Sequence, residues 1–234
     1  MPAQRPRPQG RPPRGPAQRP PRTTQGGPPR AVLNELRATA PPGKADRAAQ
    51  SFARAVELLE RGRPGAAIAP AEEAKRLAPR SGAVRELLGL ALYRAERYRD
   101  ALRELQAYRR VTGRADQNHL IADSHRALGS PEKAVEAARE ALRAPIPEEA
   151  KAEAAIVGAA ALADLGRFAE ALGLLRGVAS RGPKVRPFDL RVWYVTGDVL
   201  ERAGRPAEAK DEFRRVLRHE PGAFDAAERL ARLG

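Results

Sequence analysis

The stretch RVWYVTGDVLERAGRP, residues 191–206, decides the fold of this 234-residue chain. It contains the only tryptophan, Trp193, which stands four residues before Gly197 and eleven before Gly204. Its apolar residues recur at spacings of three and four, which is typical of a helix, and a glycine at the end of such a pattern marks a helix terminus. A lone tryptophan either anchors a ligand or fills space between helices, and the rest of the chain favours the second interpretation.

The same arrangement recurs along the chain. An alanine opens a second helical segment five times, at intervals of 34, 33, 37 and 38 residues. These alanines are Ala67, Ala101, Ala134, Ala171 and Ala209. Four of them stand five residues after a glycine, and Glu96 holds the equivalent place before Ala101. A period of this length indicates a repeat architecture in which each unit is a pair of helices.

This pattern resembles that of the tetratricopeptide repeat (TPR) family, which runs W-x2-L-G-x2-Y, then A-x3-F, then P. The fifth unit matches best, with Trp193, Thr196, Gly197, Leu200, Ala209, Phe213 and Pro221. In the second unit Arg85 replaces the Trp and Gly113 replaces the Pro. The resemblance covers residues 48 to 221. It implies an all-α fold, a TPR-type right-handed α-solenoid of about five helix-turn-helix repeats.

Packing explains why these residue types recur. A small residue in the first helix and the alanine that opens the second let two antiparallel helices approach closely, and larger residues fill the space between pairs. We therefore expect Trp193 to pack between the first and second helices of the fifth unit.

Four segments are predicted. They are a disordered basic Pro/Arg-rich tail (1–30), a short helix and linker (31–44), a TPR solenoid (45–221) and a carboxy-terminal capping helix (222–234). The repeats fall approximately at 48–81, 82–114, 115–147, 152–185 and 190–221. The first 30 residues hold ten Pro and no acidic or aromatic residue, so they cannot form a core. We expect the short helix, with Val32, Leu33 and Leu36 on one side, to dock on an apolar patch of Phe52, Val56 and Leu59.

The net charge of +14 has two explanations. Of the 43 basic residues 37 are Arg, a bias that a GC-rich genome produces, which favours a bacterial origin. Seven arginines lie in the tail and could contact phosphates, although no aromatic residue accompanies them to stack on bases. They are Arg5, Arg7, Arg11, Arg14, Arg19, Arg22 and Arg30. The tail is either a nucleic-acid-binding arm or a solvated extension.

Several classes of function are disfavoured. Without cysteine there are no disulfides, thiolate metal sites or cysteine nucleophiles. No apolar run approaches the roughly 20 residues that cross a bilayer, and no signal pattern is present, so we expect a cytoplasmic protein without a membrane partner. His119 and His125 are six residues apart and do not share a helix face as metal ligands would. We expect no catalytic activity, cofactor or metal.

The TPR resemblance implies a binding site. In that family the first helix of each pair lines a concave groove, so we expect a protein partner's peptide or helix to bind to exposed positions there. The candidates are Phe52, Glu86, Leu90, Tyr93, His119, Asp123, Arg126, Tyr194, Asp198 and Glu201. The predicted function is a non-enzymatic scaffold or adaptor. The alternative is a nucleic-acid- or ribosome-associated protein attached through the basic tail.

Overall fold

The computed structural model describes residues 28–179 and 185–234, and all regular structure in these two ranges is helical. Twelve helices are described: α1 (Arg30–Thr39), α2 (Ala45–Glu60), α3 (Pro64–Leu77), α4 (Gly82–Arg94), α5 (Tyr98–Thr112), α6 (Asn118–Ala127), α7 (Pro131–Arg143), α8 (Glu148–Asp164), α9 (Phe168–Val178), α10 (Asp189–Arg202), α11 (Pro206–His219) and α12 (Ala226–Arg232). The tail predicted to be disordered is residues 1–30, of which 1–27 lie outside these ranges; its last residue, Arg30, begins α1.

From α2 to α11 the helices alternate in chain order between the first and the second helix of a pair. The two helices of a pair pack against each other, as α4 does with α5 and α10 with α11. Ala101 and Ala209 lie in the first turn of the second helix and are fully buried. The predicted all-α class and the pairing of its helices are therefore confirmed.

The turn inside each pair needs one residue in the left-handed backbone region. Gly204 has φ 72° between α10 and α11, and Gly62, Gly129 and Gly166 have similar angles in their own turns. In the second repeat this residue is Glu96, with φ 61°. A side chain in this conformation is unusual, because only glycine adopts it without a steric cost. The backbone at Glu96 thus has the conformation of the turn glycines, as its spacing in the sequence predicted.

Close packing of the pairs depends on small residues. A Cβ added to Gly197 would lie 2.8 Å from the ring of Phe213, and one added to Gly89 would lie 2.7 Å from Leu105. Trp193 is only 3% exposed. Its ring lies 5.3 Å from that of His219 in α11, and the guanidinium of Arg215 lies 4.0 Å above it. The expectation that Trp193 packs between the two helices of its repeat is confirmed.

The chain divides into two compact units, with the boundary inside α6 between Ser124 and His125. In the amino-terminal unit, α1 packs against α2 and Leu36 is fully buried, which agrees with the docking expected of the short helix. In the carboxy-terminal unit, α8 packs against α7, α9 and α10, and α12 packs against α11. Within the described ranges, every helix is too short or too polar to span a lipid bilayer.

Candidate functional site: an ionic ladder on first helices

In the carboxy-terminal unit, ion pairs join the first helices of successive repeats. Arg126 of α6 donates from Nε to Asp164 of α8 at 2.6 Å. Arg202 of α10 donates to the other carboxylate oxygen of Asp164 at 3.0 Å. Both pairs span 38 residues, one repeat interval. The two arginine side chains thus connect the first helices of three successive repeats through the carboxylate of Asp164, which both of them bond.

The series continues onto the last helix. Arg229 of α12 donates to Asp198 at 2.8 Å and to Glu201 at 2.6 Å, both on α10. Arg202 also lies 3.9 Å from Asp198. We call the resulting set the ionic ladder; it comprises Arg126, Asp164, Arg202, Asp198, Arg229 and Glu201. The side chains of Asp198 and Glu201 are 29% and 30% exposed, so solvent reaches the α10 end of the ladder.

Aromatic side chains surround the α12 arginine. The Arg229 guanidinium lies 5.0 Å from the ring centre of Phe213 and 5.7 Å from that of Tyr194. Tyr194 donates its hydroxyl to Asp225, just before α12. Burial and this hydrogen bond raise the pKa of Tyr194 to about 12. Burial works to lower the pKa of Arg229, but hydrogen bonds to Glu201 and Asp198 outweigh it and raise the pKa above its ordinary value. Both groups therefore keep their charge state across neutral pH.

A second ion pair between the same two repeats is buried. Glu153 of α8 and Arg191 of α10 are also 38 residues apart and are hydrogen-bonded, with both side chains almost inaccessible. Removing one partner of such a pair leaves an uncompensated buried charge and typically costs about 3–5 kcal/mol. This pair holds α8 and α10 together rather than offering a surface to a ligand.

The amino-terminal unit has a different set of polar contacts on its first helices. Tyr93 of α4 donates to Asp123 of α6, and Gln117 donates to Glu86 of α4 at 2.6 Å. Burial, together with the nearby charge of Asp116, raises the pKa of Glu86 to about 7, although the hydrogen bond from Gln117 opposes this. Glu86 thus changes charge close to neutral pH, whereas Tyr194 and Arg229 do not.

The structure corrects the expected exposure of the candidate residues. Only Glu86, Asp198 and Glu201 are partly exposed. The buried ones are Phe52, Leu90, Tyr93, His119, Asp123, Arg126 and Tyr194. Phe52 belongs to α2, on which α1 and α4 both pack; Arg126 pairs with Asp164, and the ring of Tyr194 lies 4.8 Å from that of Phe224. Groove positions assigned by spacing alone ignore such neighbours, and their role in binding stays a prediction.

The structure brings Tyr194, Asp198 and Glu201 together around Arg229, and separately joins Tyr93 to Asp123. His119 lies close to this second pair in sequence, and its Nδ1 donates to the backbone oxygen of Asp116 at 3.0 Å. Sequence reasoning missed several residues that complete these contacts: Asp116, Gln117, Asp164, Arg202, Asp225 and Arg229. One signal was available, because opposite charges alternate at the 38-residue interval in the ladder.

Comparison with known protein families finds matches to one kind of repeat. Two models described as tetratricopeptide repeat match the chain, one over residues 119–185 and one over residues 190–233. No curated protein matches the chain in sequence.

The solved structures that resemble the chain include two TPR proteins. The thermophilic TPR protein TTC0263 of Thermus thermophilus superposes with a TM-score of 0.62 at 18% identity, over 86% of this chain and 98% of that one. YrrB, a TPR protein described as having an unusual peptide-binding site, gives a TM-score of 0.54 at 18% identity, over 74% of this chain and 87% of that one. At this identity the likeness is one of fold alone.

Proposed function

Because the chain is a tetratricopeptide-repeat protein, and in general terms a protein-interaction scaffold, we propose that it is a non-enzymatic adaptor that binds a peptide or helix of a partner protein. The binding surface is the first-helix face of the carboxy-terminal unit. The ionic ladder is the observation that carries this proposal, since it places hydrogen-bonding groups of both signs on one face of successive repeats.

The chemistry of the ladder suits recognition. Its three carboxylates each accept from an arginine, so none is held ready as a catalytic acid or base. Asp198 and Glu201, at the α10 end of the ladder, are partly exposed, and ion pairs of such groups contribute only about 0–1 kcal/mol each to stability. A partner can therefore exchange its own charged groups for those at this end at little cost, while charges placed in the wrong order would be repelled. The alternation of sign selects a partner segment that carries both signs.

The test is affinity purification of the full-length protein from its own cells, with nuclease treatment. The double variant Asp198→Asn with Glu201→Gln removes two ladder charges and nearly preserves side-chain shape. We expect it to lose the protein partners that the wild type retains.

Asp211→Asn is the matched control. Asp211 lies on α11, is 76% exposed and pairs with Arg214 in the same helix. We expect this variant to retain the same partners as the wild type. Loss of the same partners from both variants, or from neither, would contradict the assignment of the surface.

The alternative is attachment to nucleic acid or to the ribosome through the basic tail. Six of its seven arginines lie outside the described residues, and Arg30 is the first residue of α1. Neutralising seven phosphates of a single strand would give a slope of log affinity against log salt of roughly minus 5. Binding through the ladder is much less steep, so a steep slope together with loss of all bound material after nuclease treatment would favour the tail.

A further inference from the structure

The most exposed part of the ladder is already occupied by a segment of the chain itself. Asp198, Glu201 and Tyr194, which we call the arginine seat, hold the guanidinium of Arg229. Two carboxylates accept its hydrogen bonds, and two aromatic rings lie within 6 Å of it. Charge-assisted bonds combined with aromatic faces suit a guanidinium better than an ammonium group, because the planar guanidinium can stack on a ring while it bonds two carboxylates. The seat is thus built for arginine.

The helix that fills the seat is short and mostly exposed. α12 has seven residues, its amino terminus has no side-chain cap, and of its residues only Ala226 is buried. Helices this short are marginal in water unless tertiary packing holds them. Phe224, before α12, has φ 56°, a strained conformation for a non-glycine residue, and its side chain remains 40% exposed. Such an element belongs to the least stable part of a fold and opens before its neighbours do.

Opening α12 would leave a site with a defined charge. Without Arg229, Asp198 retains only the more distant Arg202 at 3.9 Å, and the described contacts give Glu201 no other cation. Two carboxylates beside the rings of Tyr194 and Phe213 would then favour an incoming guanidinium.

We propose that the arginine seat receives an arginine-bearing helix of the partner protein, and that α12 is an intramolecular occupant which that helix displaces. This inference rests on the proposed adaptor function and names the chemistry of its partner. α12 and the residues before it define the pattern: an aromatic residue, an acid directly after it to accept from Tyr194, and an arginine four residues after the acid, as in Phe224, Asp225 and Arg229. Because α12 competes from within the same chain, the partner binds more weakly than the seat itself would allow.

A peptide with the sequence of residues 221–234 is the direct probe. It is titrated into ¹⁵N-labelled full-length protein, either wild type or Arg229→Ala, and affinity is read from amide shifts of α10. If α12 fills the seat nine-tenths of the time, the variant binds the peptide about tenfold more tightly than the wild type. In the wild type, the amide signals of α12 move as the peptide displaces it.

Three controls keep the outcome unambiguous. Arg232→Ala removes an exposed arginine of α12 that makes no described contact with the seat, and it should leave peptide affinity at the wild-type value. The double variant Asp198→Asn with Glu201→Gln should lose peptide binding. A peptide with alanine at the position of Arg229 should not bind. Well-dispersed amide signals of α10 and α11 in Arg229→Ala would show that the fifth repeat remains folded, although signals near Phe213 should shift because Arg229 lies against its ring.

Equal affinity of the wild type and Arg229→Ala for the peptide would overturn the inference, as would binding that survives removal of both carboxylates. If the peptide fails to bind while cellular partners still depend on Asp198 and Glu201, the inference fails and the adaptor function stands. If the peptide binds as expected but no cellular partner depends on these residues, the adaptor function is what fails.

Discussion

The second and fifth repeats, one in each compact unit, are built to the same plan with different side chains. Equivalent positions lie 108 residues apart, so Gly89 corresponds to Gly197 and Arg85 to Trp193. The glycines are retained because a Cβ at either position would meet the second helix. The side chain that the first helix turns toward the second helix differs between the two repeats. In the fifth repeat it is Trp193, which is buried under the guanidinium of Arg215. In the second repeat it is Arg85, which donates a hydrogen bond to Glu104, and Glu104 also accepts one from Lys75. The repeat therefore requires a fixed spacing between the two helix backbones, and the neighbouring side-chain contact between the helices can be either apolar or ionic.

The same correspondence extends to the candidate binding faces. Glu86 and Tyr194 occupy equivalent positions, and each is hydrogen-bonded to a residue 31 further along, Gln117 and Asp225 respectively. One contact leaves a carboxyl group whose pKa lies near 7, and the other a phenol that stays neutral. One repeat geometry thus supports a face that responds to pH and another that does not.

The largest difference is expected from removing the side chains that distinguish the two repeats. Trp193→Ala should lower the free energy of unfolding by about 3–5 kcal/mol, because a large buried side chain leaves a cavity. Arg85→Ala should cost only about 1–2 kcal/mol, since Lys75 continues to neutralise Glu104. Urea unfolding of both variants measures the two values. Equal losses of unfolding free energy in the two variants would mean that Trp193 and Arg85 stabilise their repeats equally, which would contradict the difference described between the two repeats.

The pH dependence of stability should differ between the two faces. A carboxyl group whose pKa rises from 4.5 to about 7 on folding binds a proton in the folded state that the unfolded state has lost. Its contribution therefore weakens as pH rises through the interval from 4.5 to 7.

Glu86→Gln should remove this contribution. Between about pH 4.5 and about pH 8, the free energy of unfolding of the variant should therefore fall by about 1–3 kcal/mol less than that of the wild type. Unfolding is measured across that range. Tyr194→Phe is the control and should keep the wild-type slope, because its phenol is neutral throughout. Parallel curves for Glu86→Gln and the wild type would show that Glu86 does not titrate there.

The two glycine contacts should tolerate a methyl group unequally. Gly197→Ala should cost about 1–3 kcal/mol, because its Cβ would meet three atoms of the rigid Phe213 ring. Gly89→Ala should cost less, since Leu105 can change rotamer. Gly177→Ala in α9 is the control: its Cβ would have no atom within 4 Å, and it should gain about 0.5–1 kcal/mol in helix stability. Thermal unfolding ranks the three, and a milder effect at Gly197 than at Gly89 would contradict the packing described.

The smallest effect concerns the turns. Glu96→Gly should raise the free energy of unfolding by about 0.5–1 kcal/mol, because glycine adopts the positive φ without strain. Gly204→Ala at the equivalent turn should lower it by a similar amount. Chemical unfolding measures both changes in the free energy of unfolding. Changes of opposite sign support the equivalence of the two turns, and a loss of stability in Glu96→Gly would contradict it.

Some features of the chain follow from its sequence and others do not. Small residues at a fixed period predicted the helical pairs, the buried Trp193 and the special turn at Glu96, because each depends on short-range geometry. The partners of long charged side chains were missed, since an arginine can reach several neighbours. Sequence spacing placed Tyr194, Asp198 and Glu201 on one helix face, but nothing in their spacing shows that Arg229 would occupy it.

The most direct test of the central claim is site-specific photocrosslinking in the protein's own cells. A photoreactive residue at position 190, which lies on α10 one turn before Tyr194 and is partly exposed, samples the first-helix face of the fifth repeat without replacing a residue of the ladder. One at position 211 samples the exposed side of α11. We expect position 190 to crosslink to a protein partner that position 211 does not reach. Crosslinking of that partner from position 211 alone would contradict the claim that the first-helix face is the binding surface.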